Sequence, residues 1–193
     1  MENKTRAFIC IDFPEEVIKE IARIQTLIEK QHITGKLTEP ENLHLTLKFL
    51  GEVNEVTLLK VKEALSKIEY PLLNLRLGKV GTFSYGKNPK IAWISIFGNI
   101  FGLQKEIDKS LSDLFPKEER FMSHLTIARI RHVSDREGFK TYMSKIKPKQ
   151  IDFSIDNFEL KSSELKPLGP IYKIIQEFKL RRLANFSTNF FNF

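Results

Sequence analysis

Two short strand-like runs, LHLTLKFLG and SHLTIARI, lie about eighty residues apart, and each interrupts its apolar residues with a histidine and a threonine. Side chains alternate between the two faces of a strand, so His44 and Thr46 point one way while the flanking leucines point the other. His124 and Thr126 stand in the same relation to their apolar neighbours. Each run is therefore predicted to be a strand with one face packed on the core and one polar face turned elsewhere.

The predicted elements around the two runs occur in the same order. A strand and an amphipathic helix precede each run, and a further helix and strands follow it. Matching order around matching triplets indicates an internal duplication, which would give two similar lobes facing each other. GKLTEPEN is predicted to be a polar connection and GTFSYGKNP an exposed loop. The predicted strands are 6–13, 43–51, 72–80, 90–97, 123–130, 151–161 and 170–179, and the predicted helices are 15–31, 100–115, 135–146 and one capped by Asn54 and stopped by Pro71.

Composition limits the compartment and the class of partner. At 193 residues with 41% hydrophobic residues, the chain can build a substantial core. Its 31 Lys and Arg against 24 Asp and Glu give +7 and a pI near 9.4, which favours a polyanionic partner, although an ordinary basic surface explains the charge equally well. Cys10 is the only cysteine, so an internal disulfide is impossible and a reducing cytoplasm is expected. Because no apolar stretch approaches the roughly 20 residues needed to cross a bilayer, we expect no membrane partner.

Two imidazoles and two hydroxyls in a shared cleft suit phosphodiester hydrolysis. A neutral histidine can take a proton from the attacking water while a protonated one gives a proton to the departing oxygen. Threonine hydroxyls can donate to the phosphate oxygens as charge builds on them. One alternative is a pair of structural histidines, and another is a zinc pair, for which neither run carries a nearby second histidine or cysteine. His32 and His132 have no such context and are predicted to be solvated.

These residues resemble the two-histidine (2H) phosphoesterase superfamily, and within it the RNA 2',3'-cyclic phosphodiesterase branch, also called 2'-5' RNA ligase. The resemblance rests on RAFICIDFP, ENLHLTLKFLGEV, SHLTIARI and SSELKPLGPIYKII, which together span about residues 5–180. It implies a bilobal α+β fold: two pseudo-symmetric antiparallel sheets with helices outside and one HxTx motif from each lobe lining a central cleft. We therefore expect a single domain over residues 1–180 and a poorly ordered, phenylalanine-rich tail over 181–193.

The resemblance also implies an activity and its partners. The expected reaction is hydrolysis of an RNA 2',3'-cyclic phosphate to a 2'-phosphomonoester without metal or cofactor, with His44 as proton donor and His124 as proton acceptor. Residue chemistry alone treats the two histidines as equivalent. The alternatives are another two-histidine activity, such as 2'-5' RNA ligation as the main role or cleavage of a nucleoside cyclic phosphate, or a basic RNA-binding protein without catalysis. The expected partner is an RNA with a cyclic phosphate end, tRNA fragments included, bound by a monomer.

Three further positions are candidates for substrate binding. By the resemblance, Phe49 matches an aromatic residue that stacks on the base, and Arg129 matches a basic residue near the phosphate. Strict alternation places both opposite the histidines, so a bulge, a twist or the end of the strand must turn them inward; otherwise Phe49 is core and Arg129 is surface. Lys48 shares the face of His44 and Thr46 by the same alternation. It is predicted either to support the phosphate or to lie solvated at the cleft edge.

Basic and aromatic residues near the second motif form a further candidate surface. Phe83, Tyr85 and Lys87 contact RNA if their loop overhangs the cleft, and belong to a plain turn if it does not. Arg129, Arg131 and His132, together with Lys90, are candidates for a positive rim that steers RNA ends inward.

Overall fold

A computed structural model describes residues 4–167 and 169–181 of the chain. It contains nine strands and four α-helices within these ranges, together with a 3₁₀ turn at Pro40–Asn42. The strands are β1 (Lys4–Asp12), β2 (Thr34–Leu37), β3 (His44–Asn54), β4 (Leu73–Tyr85), β5 (Asn88–Gly98), β6 (His124–His132), β7 (Asp152–Ile155), β8 (Asn157–Lys166) and β9 (Gly169–Lys179). The helices are α1 (Glu15–Glu29), α2 (Glu55–Ser66), α3 (Ile100–Ser110) and α4 (Arg136–Lys145).

The strands form two antiparallel sheets, and each sheet takes strands from both halves of the chain. The first sheet has the order β3-β1-β8-β9 and the second the order β2-β6-β5-β4-β7. The arrangement β3-β1-β8 in the first sheet matches β6-β5-β4 in the second, with the motif strand first in each set. The third strand of the first set, β8, comes from the second half of the sequence, and that of the second set, β4, comes from the first half. The predicted bilobal α+β fold with one histidine motif in each sheet is confirmed.

The helices pack against the apolar faces of the sheets, and they too cross between the halves. Helix α1 contacts β6 of the second sheet, whereas α3, from the second half, contacts β3 of the first. Helix α1 begins after Pro14, carries two glutamates in its first turn, and buries Val17, Ile21 and Ile24. The leucines of β3 are buried against this helical layer. The opposite face of the strand bears His44, and β3 contacts β6, so the two motif strands meet between the sheets.

Three predictions of local structure are wrong. The supposed loop GTFSYGKNP is a long hairpin, in which β4 runs to Tyr85, β5 starts at Asn88, and Gly86 takes a positive φ of 57° at the turn. The supposed polar connection GKLTEPEN supplies β2, which pairs with β6 at the edge of the second sheet. The single strand predicted over 151–161 is two strands, because the chain passes at Asp156 from the second sheet to the first.

The C-terminal end of the described chain is attached to the fold. The Arg181 amide donates to the Tyr70 carbonyl at 2.9 Å, and the Arg181 guanidinium pairs with Glu69 at 2.7 Å. The prediction for the phenylalanine-rich tail concerns residues that, beyond Arg181, lie outside the described ranges. Among the residues that the structure describes, no helix has the length and apolar character needed to span a membrane.

Candidate active site

The two histidine strands share one pattern of burial and one irregularity. The nine residues from His44 and the nine from His124 alternate half-buried and buried positions in the same order, including two consecutive buried residues after the Thr position. In β3, Thr46 lies opposite Cys10 and Lys48 opposite Ile9, so Leu47 is an extra residue. In β6, Ile127 is the corresponding extra residue. Each motif thus ends in a β-bulge, which shifts the alternation by one residue.

The bulges decide where Phe49 and Arg129 point. Both are exposed, with Phe49 at 70%, so Phe49 is not a core residue. The Phe49 ring lies 6.3 Å from that of Phe8, which in turn lies 4.9 Å from the ring of His44. Arg129 lies near enough to His44 for its charge to affect the histidine. Of the routes considered for turning these side chains inward, a bulge is the one that the strands use.

The same bulge removes Lys48 from the cleft, so the prediction that it shares the face of His44 is wrong. Lys48 is 5% exposed and points into the helical layer. Its ammonium donates to the Asp108 carboxylate at 2.5 Å and to the Pro116 carbonyl at 2.7 Å. Asp108 also accepts from Gln104 at 2.7 Å and from the Glu118 amide at 3.1 Å. Lys48 therefore ties the bulge of β3 to α3 and the segment that follows it.

The bulge of β6 is held by a different buried polar group. The Ile127 carbonyl accepts from the Thr38 amide at 3.0 Å and from Nε2 of Gln25 at 2.9 Å. Gln25 lies on α1, is 6% exposed, and also donates to the Thr38 carbonyl at 2.8 Å. A carbonyl displaced from its ladder by a bulge needs such a partner when it is buried. Helix α1 thus fixes the strand segment that presents Thr126 and Arg129.

Both catalytic candidates are oriented by the same backbone contact. His44 Nδ1 lies 2.8 Å from the carbonyl oxygen of Asn42, and His124 Nδ1 lies 2.7 Å from that of Met122. A carbonyl oxygen only accepts, so each Nδ1 carries a proton and each Nε2 is the nitrogen left for chemistry. Thr46 and Thr126 follow on the same faces and are half-buried. The four residues expected to perform the reaction therefore have matching positions in the two sheets.

Aromatic rings enclose His44. The Tyr172 ring on β9 meets it edge-on at 5.1 Å and 90°, and the Phe8 ring lies 4.9 Å away. Phe8 and Tyr172 are themselves in contact at 4.9 Å. These rings restrict the rotation of the imidazole and remove water from one side of it.

The enclosure changes the charge of His44. Its pKa falls from the ordinary value to about 4, chiefly because burial disfavours the charged ring. The hydrogen bond to Asn42 acts in the opposite direction, and the positive charges of Lys161 and Arg129 lower the pKa further. In the empty site at neutral pH, His44 is therefore uncharged, with a lone pair on Nε2.

A charged network lies beside His44 on the same sheet. Asp12, the cross-strand partner of His44, accepts from the buried Lys161 at 2.6 and 2.7 Å, and Glu159 pairs with the same ammonium at 3.0 Å. Asp12, Glu159 and Cys10 bring their ligand atoms within 4.8 Å of one another, a spacing that suits a metal ion. The Lys161 ammonium already supplies a positive charge to both carboxylates. We therefore assign this network to the electrostatics of the His44 pocket.

The second sheet presents His124 against a wall of aromatic rings. Phe83 meets His124 edge-on at 5.0 Å and 80°, and Trp93 lies 5.3 Å from Phe83. Trp93 lies over Gly81, where a Cβ atom would stand 2.4 Å from the indole. Only glycine leaves room for the ring at this place. Each histidine thus has an aromatic ring at its edge, Tyr172 in one sheet and Phe83 in the other.

Comparison with known proteins agrees with this geometry. The family described as "LigT like Phosphoesterase" matches residues 11–93 and 95–172. The RNA 2',3'-cyclic phosphodiesterase of Methanocaldococcus jannaschii is 38% identical over 89% of this chain and 99% of its own length. That of Thermotoga maritima is 32% identical over 89% of this chain and 94% of its own.

The chain belongs to the LigT-like phosphoesterase family.

Solved structures of other proteins show the same fold. TT0787 of Thermus thermophilus superposes with a TM-score of 0.79 at 24% identity, covering 93% of this chain and all of its own. Escherichia coli LigT complexed with 3'-AMP superposes with a TM-score of 0.73 at 22% identity, covering 92% and 99%. These likenesses concern the fold.

Reasoning from the sequence missed several residues of this LigT-like site. Phe8 and Tyr172 lie far along the chain from the motif that they enclose, as does Lys161. Tyr172 falls within SSELKPLGPIYKII, one of the stretches that carried the family resemblance. The apolar pattern of this stretch does not show which face of the strand Tyr172 occupies. RAFICIDF reads as a buried strand, and nothing in it distinguishes Phe8 from a core residue.

Proposed function

We propose that this protein is a phosphodiesterase that hydrolyses the 2',3'-cyclic phosphate at the 3' end of an RNA to a 2'-phosphomonoester. The observation that carries the proposal is the matched orientation of the two histidines, each holding Nδ1 on a backbone carbonyl and leaving Nε2 for proton transfer. The names of the curated relatives support the same substrate.

The reaction needs one proton acceptor and one proton donor on opposite sides of the phosphorus. His124 Nε2 accepts a proton from water as the water oxygen bonds to phosphorus. The bond between phosphorus and the 3' oxygen breaks, and His44 Nε2 gives its proton to that oxygen. The products are a 3' hydroxyl and a 2'-phosphomonoester, and the two histidines exchange protonation states, which solvent restores before the next turnover.

The donor role requires His44 to be charged when substrate is bound, although it is neutral in the empty site. A cyclic phosphate carries one negative charge, and an anion beside Nε2 favours the imidazolium. Binding of the anionic substrate thus stabilises the protonated form of His44, which the enclosed pocket disfavours. Without substrate, His44 is neutral and can accept a proton but cannot donate one.

The remaining candidates bind and stabilise the substrate. Thr46 and Thr126 donate their hydroxyls to the non-bridging oxygens, where negative charge builds in the transition state. Arg129, exposed at the cleft, pairs with the phosphate, and Phe49 offers its 70% exposed ring to the base. Base stacking accepts any of the four bases, as an enzyme acting on RNA ends requires. Lys48 is not part of this set.

We also propose that a monomer in the cytoplasm suffices for this activity. Both histidines come from one chain, so no second copy is needed to complete the site. The sole cysteine, Cys10, is fully buried, in keeping with a reducing compartment. The RNAs to be tested include tRNA fragments that end in a cyclic phosphate.

The test is a digest of an oligonucleotide ending in a 2',3'-cyclic phosphate, with the product identified by chromatography. The wild type should yield the 2'-phosphate, and His44→Ala or His124→Ala should each lower turnover by about 10²- to 10⁴-fold. His32→Ala is the matched control, because His32 is exposed and belongs to neither motif. Activity should survive EDTA. A 3'-phosphate product, no product, or an undiminished rate in both cleft variants contradicts the proposal.

A further inference from the structure

The second sheet carries aromatic residues beyond those that its histidine needs. We call Trp93, Phe83 and Tyr85 the aromatic row. Phe83 contacts both His124 and Trp93, at 5.0 and 5.3 Å, so two members of the row lie at the reaction centre. Tyr85 lies two residues further along the same strand as Phe83. The pairing of β4 with β5 shifts between Phe83 and Ser84, but the residue passed over is Lys90 of β5. The alternation of β4 itself continues and puts both rings on one side of the strand, with Tyr85 about 7 Å further from the histidine.

Tyr85 is exposed to an extent that packing does not explain. Its relative exposure is 82%, the highest among the large hydrophobic residues that the structure describes as exposed. It lies where β4 ends, opposite Asn88 and beside the turn at Gly86. The β4–β5 hairpin therefore presents an exposed aromatic ring near its turn. Such a ring can stack on any base, because every base has a π-face.

The charges around the aromatic row have one sign. Residues 79–98 and 123–132, which form most of β4, β5 and β6, contain three lysines and two arginines and no carboxylate. Lys87 lies at the hairpin tip, and Lys90 Nζ reaches the Arg131 carbonyl at 3.4 Å, so the Lys90 ammonium lies beside β6 at Arg131. All three of these basic residues are exposed. The lysines and arginines of this surface attract the phosphates of a polynucleotide, and no carboxylate in these segments opposes them.

The corresponding hairpin of the first sheet has a different character. Residues 157–179 contain three glutamates beside four lysines. The large side chains exposed there are aliphatic, namely Leu165, Ile171 and Ile174, and its tyrosine is half-buried against Phe8 and His44. Aliphatic side chains cannot stack as rings do, and carboxylates repel phosphate. The two hairpins therefore differ in how well they suit an RNA chain, and the β4–β5 hairpin suits it better.

We propose that the β4–β5 hairpin binds the RNA upstream of the reacting end, with the penultimate base stacked on Tyr85 and its phosphates along Lys87, Lys90 and Arg131. This rests on the proposed function for the position of the terminal nucleotide. It names the substrate class more closely: a chain of at least two nucleotides, which enters over the second sheet, is preferred to a free mononucleoside cyclic phosphate.

The decisive experiment compares two substrates in one set of variants. For a trinucleotide ending in a 2',3'-cyclic phosphate, Tyr85→Ala should lower kcat/KM by about five- to a hundredfold, since stacking on an aromatic side chain is worth about 1–3 kcal/mol per base. For a mononucleoside 2',3'-cyclic phosphate, the same variant should match the wild type. Tyr85→Phe should keep the trinucleotide rate, and Leu59→Ala, which trims an exposed side chain on α2, is the control.

Equal losses on both substrates, or no loss on either, overturn the hairpin proposal and leave the proposed function standing. A second measurement keeps the two apart if hydrolysis fails altogether. Fluorescence anisotropy with a labelled trinucleotide ending in a 2'-phosphate measures binding without turnover. Weaker binding by Tyr85→Ala, and a shallower salt dependence in Lys87→Ala than in the exposed helical control Lys60→Ala, support the hairpin. Unchanged binding in both variants refutes it.

Discussion

Filling the site with a phosphate anion should return the proton to His44. In the empty cleft its pKa is about 4, because the ring is buried between Phe8 and Tyr172. A unit negative charge about 4 Å from the ring is worth about 4 kcal/mol at the effective dielectric of a protein site. Since about 1.4 kcal/mol shifts a protonation equilibrium tenfold, this attraction is enough to restore the charged form near neutral pH. The predicted consequence is a large rise in the pKa of His44 on binding a nucleotide monophosphate.

The assay is NMR titration of the histidine Cε1–H signals, with and without saturating 3'-AMP. The chain has four histidines, so His44→Gln and His124→Gln suffice to assign the two cleft signals. The His44 signal should keep its neutral position down to about pH 5 in the free protein and should titrate at higher pH in the complex. His32 and His132 are exposed and lie outside both motifs, so their signals complete the assignment. If His44 titrates near pH 6.5 without ligand, or its midpoint stays in place with ligand, the reasoning about a substrate-charged donor is wrong.

Three further predictions concern stability. Because the pKa of His44 is lower in the folded state, the unfolded chain takes up a proton on this histidine first as the pH falls. Between pH 6.5 and pH 4, urea titrations should show the free energy of unfolding falling by at most about 3 kcal/mol more in the wild type than in His44→Gln. Parallel curves for the two proteins would refute this. Lys48→Met should lower the free energy of unfolding by about 3–5 kcal/mol, because it leaves the Asp108 carboxylate buried without its cation. Adding Asp108→Leu should recover most of that loss. A lowered kcat at unchanged stability would instead indicate that Lys48 acts on the substrate. Gly81→Ala should displace the indole of Trp93, the sole tryptophan, and so shift its fluorescence and lower Tm; an unchanged spectrum would contradict the contact.

The sequence by itself determined the parts of this site that depend on local alternation. His44 with Thr46, and His124 with Thr126, lie two residues apart in short apolar strands, and a strand has no other way to bury its leucines than to turn those pairs to one face. The α+β class with antiparallel sheets was implied by the family resemblance of these stretches. The order of elements around each triplet predicted two lobes, and two sheets of matching strand order are observed.

Only the tertiary structure decided what lies beyond the threonines. Strict alternation sends Phe49 to the core and Lys48 to the cleft, and a one-residue bulge reverses both. A bulge depends on the register of a neighbouring strand and on buried partners for the groups that it displaces, such as Gln25 on α1 for the carbonyl of Ile127. Those partners come from distant parts of the sequence, and helices from each half support the strand of the other. The identity of the two motifs is therefore a local property of the chain, whereas the direction of the side chains that follow them is fixed by contacts between its halves.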